Sequence, residues 1–432
     1  LKTFPASTIV GKADGTVTKG KPVIVEADGD FATVLVSGVA GGLQTASALS
    51  NVASSSAFAT KVAHNWDDNE TVAMYNNSSS SNYPVAVKVI IDGSSAITYG
   101  TPTVINSSTS PNNNKVIYHP PSGNYAFLYN NSSNNTYVKV GALASNGSWS
   151  FGSGVIATGY TCYEADIMYW EAGSKIVVGY QPANAYGTWT LLMTVSGTST
   201  TFSNETQNQN SNYESDINLI PVNSTYYMLL SRNSSNGDYE TRMCSISGSS
   251  ITYNKTNNVI ANASNESSMQ PRGAMINTTK VGVVYISSAS TNGQMHGVVG
   301  TVSGNAVTWG SEIDILLGQN IRQSGPGRIG FSSAADQGSS SKKQFLYTST
   351  INASPTKPIW VKVNADNDTL AIDSYEIYDT LGYQNGSAGS GGTGNAFNNN
   401  TNGYIIATTY STSSSSGVNA SSVQVLKTST LA

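Results

Sequence analysis

Between Lys115 and Ile156 the chain reads KVIYHPPSGNYAFLYNNSSNNTYVKVGALASNGSWSFGSGVI, four short β-rich runs parted by Gly, Pro, Ser or Asn. That pattern predicts four antiparallel strands joined by tight turns. The unit recurs. An aromatic residue ahead of a turn marks the fourth run at Tyr99, Phe151, Phe202, Tyr253 and Trp309, in steps of 52, 51, 51 and 56 residues. A second ruler is the aromatic that closes the second run, at Tyr75, Tyr129, Tyr180, Tyr285, Tyr347 and Tyr410, with Leu230 keeping the spacing in between. A four-stranded sheet cannot hide both faces alone, and radial stacking of such sheets solves this while leaving only short edges. Counting the second runs gives seven units, so the expected fold is all-β, a seven-bladed β-propeller of four-stranded antiparallel blades.

The ends of the chain suggest how such a ring would close. Residues 1–38, with Ala13-Asp14-Gly15 and Ala27-Asp28-Gly29 flanking the alternating run Pro22 to Glu26, read as a short hairpin or arm; residues 39–432 carry the propeller. Leu43 stands at the ruler position one repeat before Tyr99, and the run Thr45 to Val52 is the expected fourth strand of the last blade. After Tyr404 to Ser411 the C-terminus offers a third strand, SSVQVLKTS, and no fourth. Phe31 to Ser37 is a competing third-strand candidate, and the C-terminal run is the expected one. Pairing the two ends would remove exposed strand edges. Two insertions, residues 332–344 and 382–403, lengthen first hairpins with Gly, Ser and Asn, as function-bearing loops often do. The sequence starts at Leu1 rather than Met, which leads us to expect an upstream piece.

Composition excludes several functions. Charged residues make up 11% of the 432 residues and the formal net charge is -4, with no Lys/Arg cluster, so no basic stripe exists to neutralise nucleic-acid phosphates. No apolar run approaches the length of a membrane span. The 24 Tyr and 6 Trp sit in periodic runs, unlike a disordered polar chain. Cys162 and Cys244 fall on strands of different blades and are expected to be buried and unbridged. About twenty Asn-X-Ser/Thr sequons occur, and Asn106, Asn131, Asn233, Asn277 and Asn352 are candidate glycan acceptors.

Aligning the units on their second runs brings Lys61, Lys115, Asp166, Asp216, Arg272 and Arg328 to one position, the start of six successive innermost strands. Two residues earlier come Glu164 and Glu214, with Gln270 in the next unit. So regular a ring of charge at a channel mouth has two readings. It is a polar ligand pocket with an acidic and a basic side, or neighbouring charges satisfy each other, Lys115 with Asp166 and Asp216 with Arg272, because unpaired buried charge is costly. The pairs Glu164/Asp166 and Glu214/Asp216 would also be the carboxylates of a glycan-cleaving enzyme. His64, His119 and His296 are dispersed, so neither a catalytic triad nor a metal site is expected, and no cofactor. The acidic turns Trp66 to Glu70 and Asn364 to Asp368 read as solvated hairpin turns rather than calcium loops.

The segment Met295 to Leu316, MHGVVGTVSGNAVTWGSEIDIL, and its counterpart Tyr239 to Asn254, YETRMCSISGSSITYN, resemble repeats of virion and tail-fibre-like proteins of marine tailed phages, including those infecting cyanobacteria. The resemblance covers the chain from about Phe31 onward. It implies a non-enzymatic role at a virion surface or in the extracellular space, as a tail fibre, knob or capsid decoration within a larger homo-oligomeric assembly. Partners would be host surface glycans or other virion proteins, with Tyr, Trp and Asn of the top-face loops stacking on and hydrogen-bonding to sugars. The sequons and the irregular last unit depart from that pattern and leave a secreted or surface-layer glycoprotein as an alternative.

Overall fold

The computed structural model describes side chains between residues 61 and 317 and again between 361 and 372, apart from interspersed loop and strand positions, and elsewhere the backbone of the strands named below. The architecture is all-β, a succession of four-stranded antiparallel sheets. The innermost strands follow one another side by side: Ala57–Asn65, Lys115–His119, Val155–Trp170, Glu214–Pro221, Arg272–Met275 and Gly330–Ser333. Each opens a meander that runs outward, the arrangement of propeller blades.

The hydrophobic core lies between sheets rather than within one. Ala126, Leu128 and Val138 of one sheet meet Ala165, Ile176 and Val178 of the next, whose opposite face sends Val177 and Leu192 against Leu219 and Leu229. Ile220 and Met228 then pack on Val281 and Val298. With both faces covered, second strands such as Asn124–Asn130 are buried along their whole length. That explains why these runs read as unbroken apolar stretches rather than strict alternation.

Each ruler aromatic marks a break in the outermost strand. Tyr99, Phe151, Phe202, Tyr253 and Trp309 are the last residues of Ile97–Tyr99, Trp149–Phe151, Ser199–Phe202, Ser250–Tyr253 and Ala306–Trp309. A second strand then resumes pairing with the same third strand. The rings lie opposite third-strand positions, two of them glycines: Phe151 faces Gly141 and Trp309 faces Gly300. A Cβ on Gly300 would stand 2.7 Å from the Trp309 ring, so only glycine admits the indole there. The hairpins ahead of three of these outer strands turn on Gly197, Gly248 and Gly304, with φ of +58°, +59° and +59°, the left-handed conformation that the first residue of a two-residue II′ turn requires.

The chain ends meet in one sheet. Gly42–Ala48 pairs antiparallel with Asn419–Lys427, the outer edge of the sheet that holds Phe397–Asn399 and Tyr404–Thr412. This strand begins three residues before the expected Thr45, and residues 49–52 lie outside the described part. Phe31–Thr33 is not a blade strand: it pairs with Val23–Val25 and Ala13–Asp14 in a separate three-stranded sheet. A further departure is the 16-residue strand Val155–Trp170, which pairs first with Asn135–Leu143 and then with Lys175–Pro182. It joins two expected blades into one nine-stranded sheet. The insertions 332–344 and 382–403 fall largely outside the described residues. Among the described residues no helix is long and apolar enough to cross a membrane.

Candidate functional site

The innermost strands bring three of the repeat-related positions, together with Asn218, to one cavity of about 480 Å³. Its polar lining is Lys115, Asp166, Asn218 and Arg272; its apolar walls include Ile117, Ile167, Met168, Leu219 and Met275. The repeat itself accounts for the placement, since corresponding residues of parallel-running innermost strands must stand side by side around an axis.

Asp166 is the hub. Lys115 Nζ lies 3.3 Å from its Oδ1, while its Oδ2 accepts from Asn218 Nδ2 at 3.2 Å and from the Leu219 amide at 2.9 Å. The Asn218 side-chain oxygen accepts in turn from the Gly273 amide at 3.0 Å, linking three successive sheets. Burial opposes ionisation of Asp166. The charges of Lys115 and Arg272, with the Leu219 and Asn218 donors, outweigh burial and hold the carboxyl below its ordinary range. Lys61 is buried on the neighbouring innermost strand, and its ammonium is pushed well below the lysine range by burial first, then by Lys115 and Arg272, with Asp166 pulling the other way. Arg272 is also buried, and among the described residues its guanidinium makes one hydrogen bond, from Nη1 to the Pro271 carbonyl at 3.0 Å. The guanidinium carries five donors, so it faces the cavity with most of them uncommitted.

Of the residues expected at the ring, Lys115, Asp166 and Arg272 line this cavity together and Lys61 interacts with all three electrostatically. Glu164 is half-buried and is not one of the lining residues. The side chains of Glu214 and Asp216, and Arg328 altogether, lie outside the described residues. In the sheet where Asp216 was expected beside Asp166, the position is taken by Asn218. A register shift between Ser215 and Asn218 changes the phase of that strand, and nothing in the sequence marks the bulge. The expected Lys115–Asp166 pair forms; the Asp216–Arg272 pair lies outside the described residues. An ionised, multiply hydrogen-bonded Asp166 is also unsuited to be the proton donor of a glycosidase, which needs a raised pKa.

The expected acceptor asparagines differ in setting. Asn131 and Asn277 cap turns with their side-chain oxygens, Asn131 accepting from the Ser133 and Asn135 amides and Asn277 from the Thr279 and Lys280 amides. Asn106 is partly exposed beside the Tyr129 hydroxyl, whose pKa burial raises to about 12. Asn233 is buried and its Nδ2 donates to Glu240 at 3.0 Å, an unsuitable setting for an acceptor on the folded protein. Asn352 lies outside the described residues. The turn after Asn65 is held by Asn65 Nδ2 to Asp68 at 2.9 Å, and Glu70 is engaged by Lys88 at 2.8 Å and by the Tyr125 hydroxyl at 3.0 Å, which fits a plain hairpin turn. Residues 367 and 368 of the other acidic turn lie outside the described residues.

No family model matches this chain, and no curated protein matches it in sequence. Among solved structures it is similar to the BP39L lectin from Burkholderia pseudomallei, with a TM-score of 0.59 at 9% identity over 86% of this chain and 96% of that one. AofleA from Arthrobotrys oligospora scores 0.47 at 10% identity, covering 75% and 87% of the two chains. Aleuria aurantia lectin, a fungal lectin described as a six-bladed β-propeller with a novel mode of fucose recognition, scores 0.45 at 12% identity, covering 74% and 97%. Only the first is close enough to bear on architecture, and at that identity it speaks to the fold alone.

Proposed function

We propose that the chain is a non-enzymatic, glycan-binding β-propeller of seven blades, its ring closed by the Gly42–Ala48 strand, acting at a virion surface within a larger homo-oligomeric assembly. Closure is supported by the sheet shared between the two chain ends and by the contact of Ala57–Asn65 with Phe397–Asn399 and Tyr404–Thr412. Glycan binding is carried by one observation: the channel-mouth cavity offers Arg272 with uncommitted donors beside apolar walls. Such a site suits a polyhydroxylated ligand, whose ring oxygens accept from the guanidinium while its C–H faces lie on Ile167, Leu219 and Met275. Among the described residues, no Tyr or Trp lines this cavity, so hydrogen bonding and aliphatic contact take the part that sequence reasoning gave to aromatic stacking. The lectin neighbour is consistent with this reading, and the virion setting rests on the resemblance of the repeats.

The test is a glycan array on the purified chain and on Arg272→Gln. Selective binding by the parent, lost in the variant while the melting temperature stays within a few degrees, supports the reading. Absence of binding to any array glycan, or binding indifferent to Arg272, overturns it. Immunogold labelling of particles with antibody against the chain tests the virion setting separately.

A further inference from the structure

The geometry points to a binding site for a divalent transition-metal cation, formed by His296, Glu312 and Asp314 on the sheet that opens with Arg272–Met275 and away from the cavity. Sequence spacing hides it, because His296 lies on a different strand from Glu312 and Asp314. The ladder brings them together: His296 on Gln294–Ser303 is the direct cross-strand neighbour of Asp314 on Ile313–Leu316, and Glu312 precedes that strand by one residue.

The imidazole side chain is 8% exposed, whereas the Glu312 and Asp314 side chains are 52% and 61% exposed, so a buried nitrogen meets two carboxylates at the surface. His296 Nδ1 lies 3.0 Å from Asp314 Oδ1 and 3.4 Å from Glu312 Oε1. Despite that proximity the buried Nδ1 has no hydrogen-bond partner, since neither carboxylate oxygen is aligned to accept from the ring. Burying a polar atom unsatisfied is costly, and a cation between the three donors would remove the cost. The distances suit one. Donors bonded at the usual zinc–nitrogen and zinc–oxygen lengths stand about 3.0 to 3.4 Å apart in octahedral or tetrahedral geometry. All three donor atoms lie within 4.8 Å of one another.

The surroundings hold the donors in place. The Tyr285 hydroxyl donates to Glu312 Oε2, which leaves Oε1 turned toward His296. The Tyr285 ring, the neighbour of His296 on the other side, stacks on the imidazole at 6.0 Å and 26°. Partners that fix the ligand orientations in this way are the usual support of a metal site. Two carboxylates match a 2+ charge, and the nitrogen donor favours zinc-like ions over calcium or magnesium, which prefer all-oxygen shells. The exposed side leaves positions open for water or an external oxygen ligand.

The test uses the full chain stripped with chelator and then titrated calorimetrically with Zn2+, Mn2+, Ca2+ and Mg2+. We expect saturable binding of one Zn2+ in the micromolar range or tighter, with a raised melting temperature. Asp314→Asn and Glu312→Gln should each weaken it at least tenfold without moving the metal-free melting temperature, because both side chains are largely exposed. His296→Gln should abolish it. No saturable Zn2+ binding, Ca2+ binding tighter than Zn2+, or Zn2+ binding unchanged in Asp314→Asn would each overturn the assignment.

Discussion

The aromatic rulers owe their regularity to single contacts. Trp309 fits because residue 300 has no side chain, so Gly300→Ala forces either the indole or Val307, 2.8 Å from the same added Cβ, out of place. The expected cost is about 1 to 3 kcal/mol, read as a lower melting temperature. Combining it with Trp309→Leu should be less than additive, because the smaller side chain relieves the clash. Buried histidines set a pH dependence. His64, packed beside Thr71 at 3.1 Å, has its pKa lowered by burial to about 4, and His119 is lowered by the same cause. A histidine whose folded pKa lies below its unfolded value stabilises the neutral form, so its contribution is complete above about pH 6.5 and is lost as pH falls toward 4. Asp166, with a depressed carboxyl, loses its contribution only at still lower pH, as the folded-state group protonates. The melting temperature should therefore fall between pH 6.5 and 4, and His64→Asn should flatten that slope; an unchanged slope would refute the assignment. Lys115, Asp166 and Arg272 were legible from repeat position alone. Asn218 was not, because the bulge that aims it leaves no mark in the sequence.

Strands were legible wherever a turn residue or a ruler aromatic bounded them, and less so where pairing partners lie far apart in the chain. The broken outer strand is an example: the Gly-Ser-Gly after Phe151 reads as a turn, yet it interrupts a strand that continues against the same partner. The Gly42–Ala48 strand was placed three residues late because its partner is some 380 residues away and fixes a register that local pattern cannot. Its removal should matter out of proportion to its length. Without residues 1–48 the Asn419–Lys427 strand has an open edge, and unfolding should become broad or multi-step by circular dichroism. A single sharp transition at the parent temperature would contradict this. Within the blades, Leu229→Ala removes a fully buried side chain wedged between two sheets and should cost on the order of 2 to 5 kcal/mol in denaturant unfolding.

At the scale of the whole molecule stability comes from stacked interfaces, none of which depends on a covalent link. Cys162 and Cys244 are buried and not joined in a disulfide. Reductant should leave the melting temperature within about two degrees, and a drop of ten would show a bridge. The repeat made the succession of sheets readable, while the joining of two of them by one strand was not, since nothing in SGVIATGYTCYEADIMYW announces that the chain fails to turn. That joint sets a kinetic asymmetry. Elsewhere a blade can fray by releasing a loop, but the backbone from Val155 to Trp170 runs without a break from one ladder into the next, 155–161 against Asn135–Leu143 and 162–170 against Lys175–Pro182. Opening either ladder loosens a strand whose other half is held by the next, so those two blades should exchange deuterium as one unit and later than any other pair. The succession of sheets thus has a built-in last place to open.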